Sequence, residues 1–149
     1  MCKKNTMGSE VVEGFACKPQ NLDVNKPLMY SAAQIFICEG HRCGETQDTD
    51  LTDKVRVLIK NLGYDKGNNR IKVTRTHCQG ACRFRNFMCA YRNGSAVNFS
   101  PENSFSAWKK VNQWNEEQWQ ELIKYLAEGI EPQNIIEFKV EEKIYCDCE

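Results

Sequence analysis

Two closely spaced pairs of cysteines constrain this chain more than any other feature of its sequence. Cys38 and Cys43 form a C-x4-C motif, and Cys78 and Cys82 form a C-x3-C motif. Glycines accompany both motifs, and a residue without a Cβ lets the backbone curl around a bulky inorganic group and aim N–H groups at sulfur. Four thiolates satisfy either a [2Fe–2S] cluster, with two sulfurs on each iron, or one tetrahedral Zn²⁺ ion. The motifs therefore predict a metal centre held by these four cysteines.

The composition fits a single globular domain in a reducing compartment. The chain has 149 residues, of which 41% are hydrophobic and 27% charged, and its basic and acidic residues are equal in number, so the global charge indicates no partner. No apolar run is long enough to span a membrane, and the first thirty residues contain no hydrophobic signal core. We therefore expect a cytoplasmic protein, in which nine cysteines suit metal or redox chemistry better than disulfides.

The pattern of apolar residues predicts an α/β sandwich with one mixed sheet and flanking helices. The predicted elements are a strand over 34–37, a helix over 51–62, a strand over 71–74, a hairpin joining 87–91 to 96–99 through Asn93–Gly94, and a helix from Asn115 to Gly129. In the first helix, apolar residues recur at three- and four-residue spacing on one face. In the second helix, Asn115 and Gln118 match a capping box.

Each cysteine pair comes directly after a predicted strand. If the two strands are parallel neighbours, their carboxyl ends lie at the same edge of the sheet, and the four thiolates converge there. We expect residues 33–129 to form the domain, with residues 1–32 as a polar N-terminal extension and residues 130–149 as an acidic C-terminal tail.

Over about residues 33–128 the sequence resembles the thioredoxin-like [2Fe–2S] ferredoxins, whose fold also forms the cluster domain of the 24-kDa-type subunit of respiratory NADH dehydrogenase. The resemblance rests on C-x4-C after the first strand, the helix and strand that follow, and C-x-G-x-C at Cys78–Cys82. It implies a thioredoxin-like fold, a [2Fe–2S] cluster on the four motif cysteines, and a homodimer. It also implies an electron carrier that has no catalytic residues and is not an enzyme.

The sequence departs from this family at three places, one of which is an insertion around Ser100 to Ser106. After the last motif cysteine the chain has Arg83–Asn86, where the family has a Gly-Pro-type turn. The dehydrogenase subunit has a helical N-terminal domain, whereas the segment before Cys38 is short and lacks a helical period. These differences favour a free-standing soluble carrier over a fixed subunit of a large complex.

Two other interpretations of the cysteines remain open. A structural zinc module fits the spacing of both pairs, although zinc ribbons more often use C-x2-C. A thioredoxin-type thiol oxidoreductase without a cluster would place C-x-x-C at a helix N-terminus, which lowers the thiol pKa. Here the first pair is more widely spaced, and a long loop separates it from the predicted helix.

The other five cysteines are not expected to bind the cluster. Cys89 lies on a predicted strand, on the side of Phe87 and Tyr91, and is expected to be a small buried hydrophobic residue. The remaining four lie in the terminal segments and are expected to have no part in the site: Cys2, Cys17, Cys146 and Cys148.

Positive charge is concentrated around the second cysteine pair. Residues 70–92 contain no acidic residue and six basic ones: Arg70, Lys72, Arg75, Arg83, Arg85 and Arg92. We expect a basic rim that attracts an acidic redox protein, which docks near Arg83 and Arg85. Neither nucleic acid nor a membrane is an expected partner, because the basic window coincides with the metal motif and no nucleic-acid module is recognisable.

Overall fold

The computed structural model describes residues 30–44 and 51–140. The strands are β1 (Ala33–Cys38), β2 (Ile71–Thr76), β3 (Met88–Arg92), β4 (Phe105–Trp108) and β5 (Lys139–Val140). The α-helices are α1 (His41–Gly44), α2 (Leu51–Asn61) and α3 (Glu116–Glu128). The two strands predicted around the cysteine motifs and both predicted helices are thus confirmed. No helix in the described ranges is both long enough and apolar enough to cross a membrane.

The strands form one mixed sheet in the order β2–β1–β3–β4–β5. β1 and β2 are parallel neighbours, with Ala33 opposite Ile71 and Cys38 opposite Thr76. Parallel neighbours need a crossover connection, and α2 provides it. Each later strand is antiparallel to the strand that it follows in the sheet order. A mixed sheet combined with helices confirms the predicted α/β class.

The two longer helices pack on the same face of the sheet. Alternate residues of the central strands are buried beneath them, including Ile35 and Ile37 in β1 and Met88 in β3. The core that these residues form with the helices also includes Val55, Ile59, Trp108, Trp119, Leu122 and Leu126. Burying one such apolar side chain stabilises the fold by about 1.5–3 kcal/mol, so this face holds the hydrophobic core.

Helix α3 begins and ends where local signals in the sequence place its ends. The Asn115 side chain accepts a hydrogen bond from the Gln118 N–H, and the Gln118 side chain accepts one from the Asn115 N–H, which closes the predicted capping box. Gly129 ends the helix with a φ of 74°, a left-handed conformation that favours glycine.

The predicted hairpin is wrong in its second strand. β3 pairs with β4, with Tyr91 opposite Phe105, whereas residues 96–99 form turns. Asn98 has a φ of 56°, and this left-handed conformation interrupts an extended chain. Its side chain donates a hydrogen bond to the Glu128 carbonyl at 3.0 Å. The segment therefore covers the C-terminal end of α3 instead of pairing with β3.

A buried arginine holds this loop against α3. Arg92 is 4% exposed, and its Nε donates a hydrogen bond to the Leu126 carbonyl at 2.9 Å. Its terminal nitrogens donate to the carbonyls of Val97 and Asn98. A cation at the C-terminal end of a helix also complements the helix dipole. Arg92 therefore acts inside the fold and contributes nothing to an exposed basic rim.

The chain after α3 returns to the sheet. Ile135 is fully buried, and β5 pairs with β4. The Glu121 carboxylate of α3 accepts hydrogen bonds from the backbone N–H groups of Gln133 and Asn134, at 2.9 and 3.1 Å. Residues 130–140 therefore pack against the rest of the structure.

We expect Glu121→Gln to weaken this attachment in a pH-dependent way. The hydrogen bond from Gln133, followed by those from Asn134, lowers the pKa of Glu121. A lowered folded-state pKa contributes stability that is present above the unfolded pKa and is lost as the pH falls through the folded pKa. The free energy of unfolding should fall by at most about 1 kcal/mol at neutral pH, because the group is accessible to solvent. Urea unfolding should show the two proteins converging in acid, and a difference that persists there would contradict this role.

Candidate metal centre

The two cysteine loops leave the sheet at the same edge. Cys38 is the last residue of β1, and it lies opposite Thr76, the last residue of β2. The Glu39 N–H donates to the Thr76 carbonyl at 2.8 Å, which continues the contact one residue beyond the strands. The first loop then enters α1, which carries Cys43, and the second loop turns at Gly80 with a φ of 79°. The parallel arrangement that would bring the two loops together is therefore present.

The four motif cysteines form two pairs at this edge of the sheet. The Sγ atoms of Cys78 and Cys82 are 3.6 Å apart. Cys43 is hydrogen-bonded to the Cys38 side chain, and, in addition to burial, the negative charge of a Cys82 thiolate would raise the pKa of Cys43. The Cys38 Sγ is 3.6 Å from the carbonyl oxygen of His77, which directly precedes Cys78. Within residues 30–44 and 51–140, no cysteine is disulfide-bonded, and no set of three or more His, Cys, Asp or Glu side chains is placed to hold a metal ion.

The two pairs differ in their exposure to solvent. Cys38 and Cys43 are 3% and 2% exposed. Cys78 is exposed, and Cys82 is half-buried. A group held between the pairs would therefore be enclosed on the side of the first pair and reach the surface on the side of the second.

Gly40 is the point at which the two loops touch. A Cβ atom at residue 40 would lie 2.8 Å from the Cα and the backbone N of Cys78. Backbone atoms cannot move aside as the end of a flexible side chain can, so this approach requires glycine. Gly44 differs, because the nearest atom of the described residues to a Cβ there is the Glu39 carbonyl oxygen at 3.7 Å. Within the part of the chain that the structure describes, close packing therefore requires glycine at residue 40 and not at residue 44.

Polar side chains fix the second loop to the strands. Gln79 Nε2 donates to a β1 carbonyl at 3.0 Å and to the Thr76 hydroxyl at 2.8 Å. Arg75, near the end of β2, forms ion pairs with Glu39 at 3.0 Å and with Asp53 at 2.9 Å. Exposed ion pairs contribute little energy, about 0–1 kcal/mol each. Their role here is to join β2, the first loop and the start of α2.

Asn86 is a buried support that the sequence analysis missed. Its side chain is 0% exposed, and its Nδ2 donates to the Cys43 carbonyl at 2.6 Å. Its own carbonyl accepts a hydrogen bond from the Val111 N–H at 3.0 Å, and the Phe84 carbonyl accepts one from the Lys110 N–H at 3.2 Å. A buried amide left unpaired costs about 1–3 kcal/mol. In the sequence, a polar residue within an aromatic stretch does not distinguish such a support from a surface turn.

Backbone N–H groups interact with sulfurs of both pairs. Burial raises the pKa of the Cys43 thiol to about 11; a hydrogen bond from the Phe87 backbone opposes this, and the neighbouring cysteines add to it. The Gly80 N–H donates to the Cys78 Sγ at 3.3 Å. Because metal-bound thiols are deprotonated, binding at Cys43 would release a proton. The N–H groups would then stabilise negative charge on the sulfurs.

Cys89 lies on the sheet face opposite the core. It is half-buried, whereas a buried position was expected, and it lies opposite Phe36 in β1 and Ala107 in β4. Burial, with the charge of nearby Cys38 as a smaller cause, raises the pKa of its thiol to about 11. The predictions for four other cysteines fall outside the described residues: Cys2, Cys17, Cys146 and Cys148.

Only part of the positive charge expected around the second cysteine pair is exposed and unpaired in the described part of the structure. Arg70 and Arg92 are 3% and 4% exposed, and Arg75 is paired with two carboxylates. These three residues therefore do not form the basic rim that the sequence suggested. Arg83 and Arg85 are exposed in the loop that follows the second cysteine pair.

No protein-family model matches this chain, and no curated protein matches it. Its function is therefore inferred from two features of the chain itself. The first is the meeting of two cysteine loops at one edge of a mixed sheet. The second is the enclosure of one sulfur pair and the exposure of the other.

Proposed function

We propose that this protein is a one-electron carrier that binds a [2Fe–2S] cluster through its four motif cysteines. The observation that carries the proposal is the side-by-side placement of two sulfur pairs in loops that leave adjacent parallel strands. Each iron of such a cluster takes two thiolates, so two pairs match its ligand requirement. The C-x4-C and C-x-G-x-C motifs resemble those of the thioredoxin-like ferredoxins, which supports the same conclusion.

The chemistry of the donor set and the contact between its two loops suit this group. Thiolates are the ligands that iron–sulfur clusters use, and the close approach of Gly40 to Cys78 keeps the two loops together. N–H groups from Gly80 and Phe87 interact with sulfurs, and such hydrogen bonds influence the reduction potential. When bound, the cluster supplies the one-electron couple, and the protein supplies ligands, hydrogen bonds and partial exclusion of water.

We assign the fold to the thioredoxin-like class as part of this proposal. The support is the order of the elements along the chain. β1, α2 and β2 form a parallel unit, β3 and β4 form an antiparallel unit, and helix α3 follows them. The order β2–β1–β3–β4 places the two cysteine loops beside each other. β5 is an addition at the edge of this arrangement.

The test is the composition and visible spectrum of protein purified without oxygen. We expect a coloured protein with about two iron and two acid-labile sulfide per chain. Colourless protein with one zinc would replace the proposal with a structural zinc module. Metal-free protein after anaerobic purification and reconstitution would also overturn it.

One observation favours a second candidate, a thioredoxin-type thiol oxidoreductase. Cys78 and Cys82 have sulfurs 3.6 Å apart, and Cys78 is exposed, as an attacking thiol must be. No α-helix begins at either residue in the described structure, so the usual means of lowering the thiol pKa is missing there. Reversible dithiol oxidation in metal-free protein, with disulfide reductase activity, would support this candidate over the carrier.

A further inference from the structure

We propose that the cysteine end of the sheet is a docking surface for the acidic face of a redox protein. The surface, here called the basic edge, consists of five basic residues from three segments: Arg83, Arg85, Lys109, Lys110 and Lys139. The proposal rests on the proposed function insofar as it makes the partner a redox protein. It goes beyond the sequence analysis because three of the five residues lie outside the basic window at residues 70–92.

The strand directions bring these segments to the same end of the sheet. The end of β1, which carries Cys38, lies beside the start of β3. β3 starts opposite the end of β4, where Met88 faces Trp108, and β5 starts there as well, where Lys139 faces Trp108. Lys109 follows β4 directly. The strand topology therefore places these lysines at the end of the sheet that holds the cysteine loops.

Backbone hydrogen bonds join the three segments directly. The Lys110 N–H donates to the carbonyl of Phe84, between Arg83 and Arg85, at 3.2 Å. The Lys109 N–H donates to the carbonyl of Phe138, beside Lys139, at 2.9 Å. Basic residues that are distant in the sequence therefore lie on neighbouring segments at one end of the sheet, and no local charge pattern could indicate this.

The charges of the basic edge are available to a partner. Arg83, Arg85, Lys110 and Lys139 are exposed, and Lys109 is half-buried. No ion pair among the described residues involves any of the five. On the neighbouring segments, Glu137 is an exposed acidic residue, and Glu39 is paired with Arg75. Unpaired charges of one sign raise association rates with partners of the opposite sign by about 10–10³-fold.

The position of the basic edge favours a redox protein over nucleic acid. Cys78, the exposed cysteine of the site, lies in the loop that leads to Arg83, so a docked protein would come close to the sulfurs. Single-stranded nucleic acid requires aromatic side chains on which bases stack. Phe84 is half-buried, and its ring lies 6.4 Å from that of buried Phe87. Phe138, beside Lys139, is likewise half-buried, so neither aromatic side chain of the described residues beside the basic edge is fully open for stacking.

The first test uses two small oxidants of opposite charge, ferricyanide and hexaammineruthenium(III), on the reduced cluster-loaded protein. The second-order rate constant for oxidation by ferricyanide, an anion, should fall about tenfold from low to high ionic strength, because salt screens its attraction to the basic edge. The rate constant for oxidation by the ruthenium complex, a cation, should not fall. In the Lys110→Glu/Lys139→Glu variant, the rate constant with ferricyanide should depend much less on ionic strength. Lys60→Glu/Lys124→Glu, at exposed helix positions, makes the same change in net charge and should preserve it. Equal salt dependence in the wild type and the edge variant would overturn the proposal.

The second test does not depend on a cluster. Backbone amide NMR signals of the purified protein are followed while a short poly-glutamate peptide or a short single-stranded oligonucleotide is added. The signals that shift when the peptide is added should belong to residues 83–85, 109–110 and 139. The Arg83→Glu/Arg85→Glu variant should bind the peptide at least tenfold more weakly. Tighter binding of the oligonucleotide at the same residues, or peptide binding elsewhere, would overturn the proposal. If the protein holds no cluster, the proposed function fails, and the NMR titration alone tests whether the basic edge binds an acidic partner.

Discussion

Replacing Cys78 by alanine should abolish the visible absorption of the purified protein and reduce its iron from about two per chain to almost none. Cys78 is exposed, so its removal leaves no buried cavity, and a loss of stability would report the lost cofactor. A ligand present at about a thousand times its Kd stabilises the folded state by about 4 kcal/mol. For a chain of this size that corresponds to about 10 °C in Tm. Thermal unfolding with iron and sulfide analysis measures both effects.

Cys89→Ala is the matched control for this substitution. Cys89 is also a cysteine near Cys38, but it lies on β3 and outside both motifs. Its replacement should leave the spectrum and the iron content unchanged. Wild-type protein stripped by a chelator should unfold at the same temperature as Cys78→Ala. Full iron content in Cys78→Ala, or loss of iron in Cys89→Ala, would show that the assignment of ligands is wrong.

The helices could be predicted because their signals are local. The capping box of Asn115 and Gln118, the left-handed Gly129 and the apolar stripe between them act within a few residues of each other. The strands before the cysteine motifs were also predictable, because short runs rich in β-branched and aromatic residues are typical of strands. What these signals indicate does not depend on distant parts of the chain.

The second strand of the hairpin could not be predicted in the same way. Asn93–Gly94 is a strong turn signal, but it does not say which downstream segment pairs with β3. That choice depends on Arg92, whose guanidinium binds carbonyls of residues 97 and 98 and of Leu126. A buried arginine that joins a loop to the end of a distant helix has no signature in the local sequence. For the same reason, the sequence alone places Arg92 with the surface charge, although the residue is buried.

The candidate ligands could be identified from the sequence, whereas the residues that support them could not. Cysteines at short spacing indicate metal chemistry by composition alone. Asn86, which donates to the Cys43 carbonyl, and Gly40, which touches Cys78, act across the gap between the two motifs. Contacts of this kind depend on how two loops meet, and residue type and spacing do not encode that geometry.

Gly40→Ala should therefore have a large effect, although it adds only a methyl group and leaves every sulfur in place. The new Cβ would lie 2.8 Å from the Cα and N of Cys78, so the two loops must separate. Overpacking of this kind costs about 1–3 kcal/mol. Separation of the loops should also prevent the two sulfur pairs from sharing a cluster. We expect a lower Tm and an iron content well below that of the wild type.

Gly44→Ala provides a control within the same loop. Among the described residues, a Cβ at residue 44 has no neighbour closer than 3.7 Å. The residue does not have a left-handed φ, so alanine can adopt its backbone conformation. This variant should retain its iron and unfold within about 0.5 kcal/mol of the wild type. Equal iron content in the two variants would mean that the contact between Gly40 and Cys78 does not hold the sulfur pairs together. Loss of iron in Gly40→Ala alone would show that the distance between the loops, rather than the number of thiols, determines whether the centre forms.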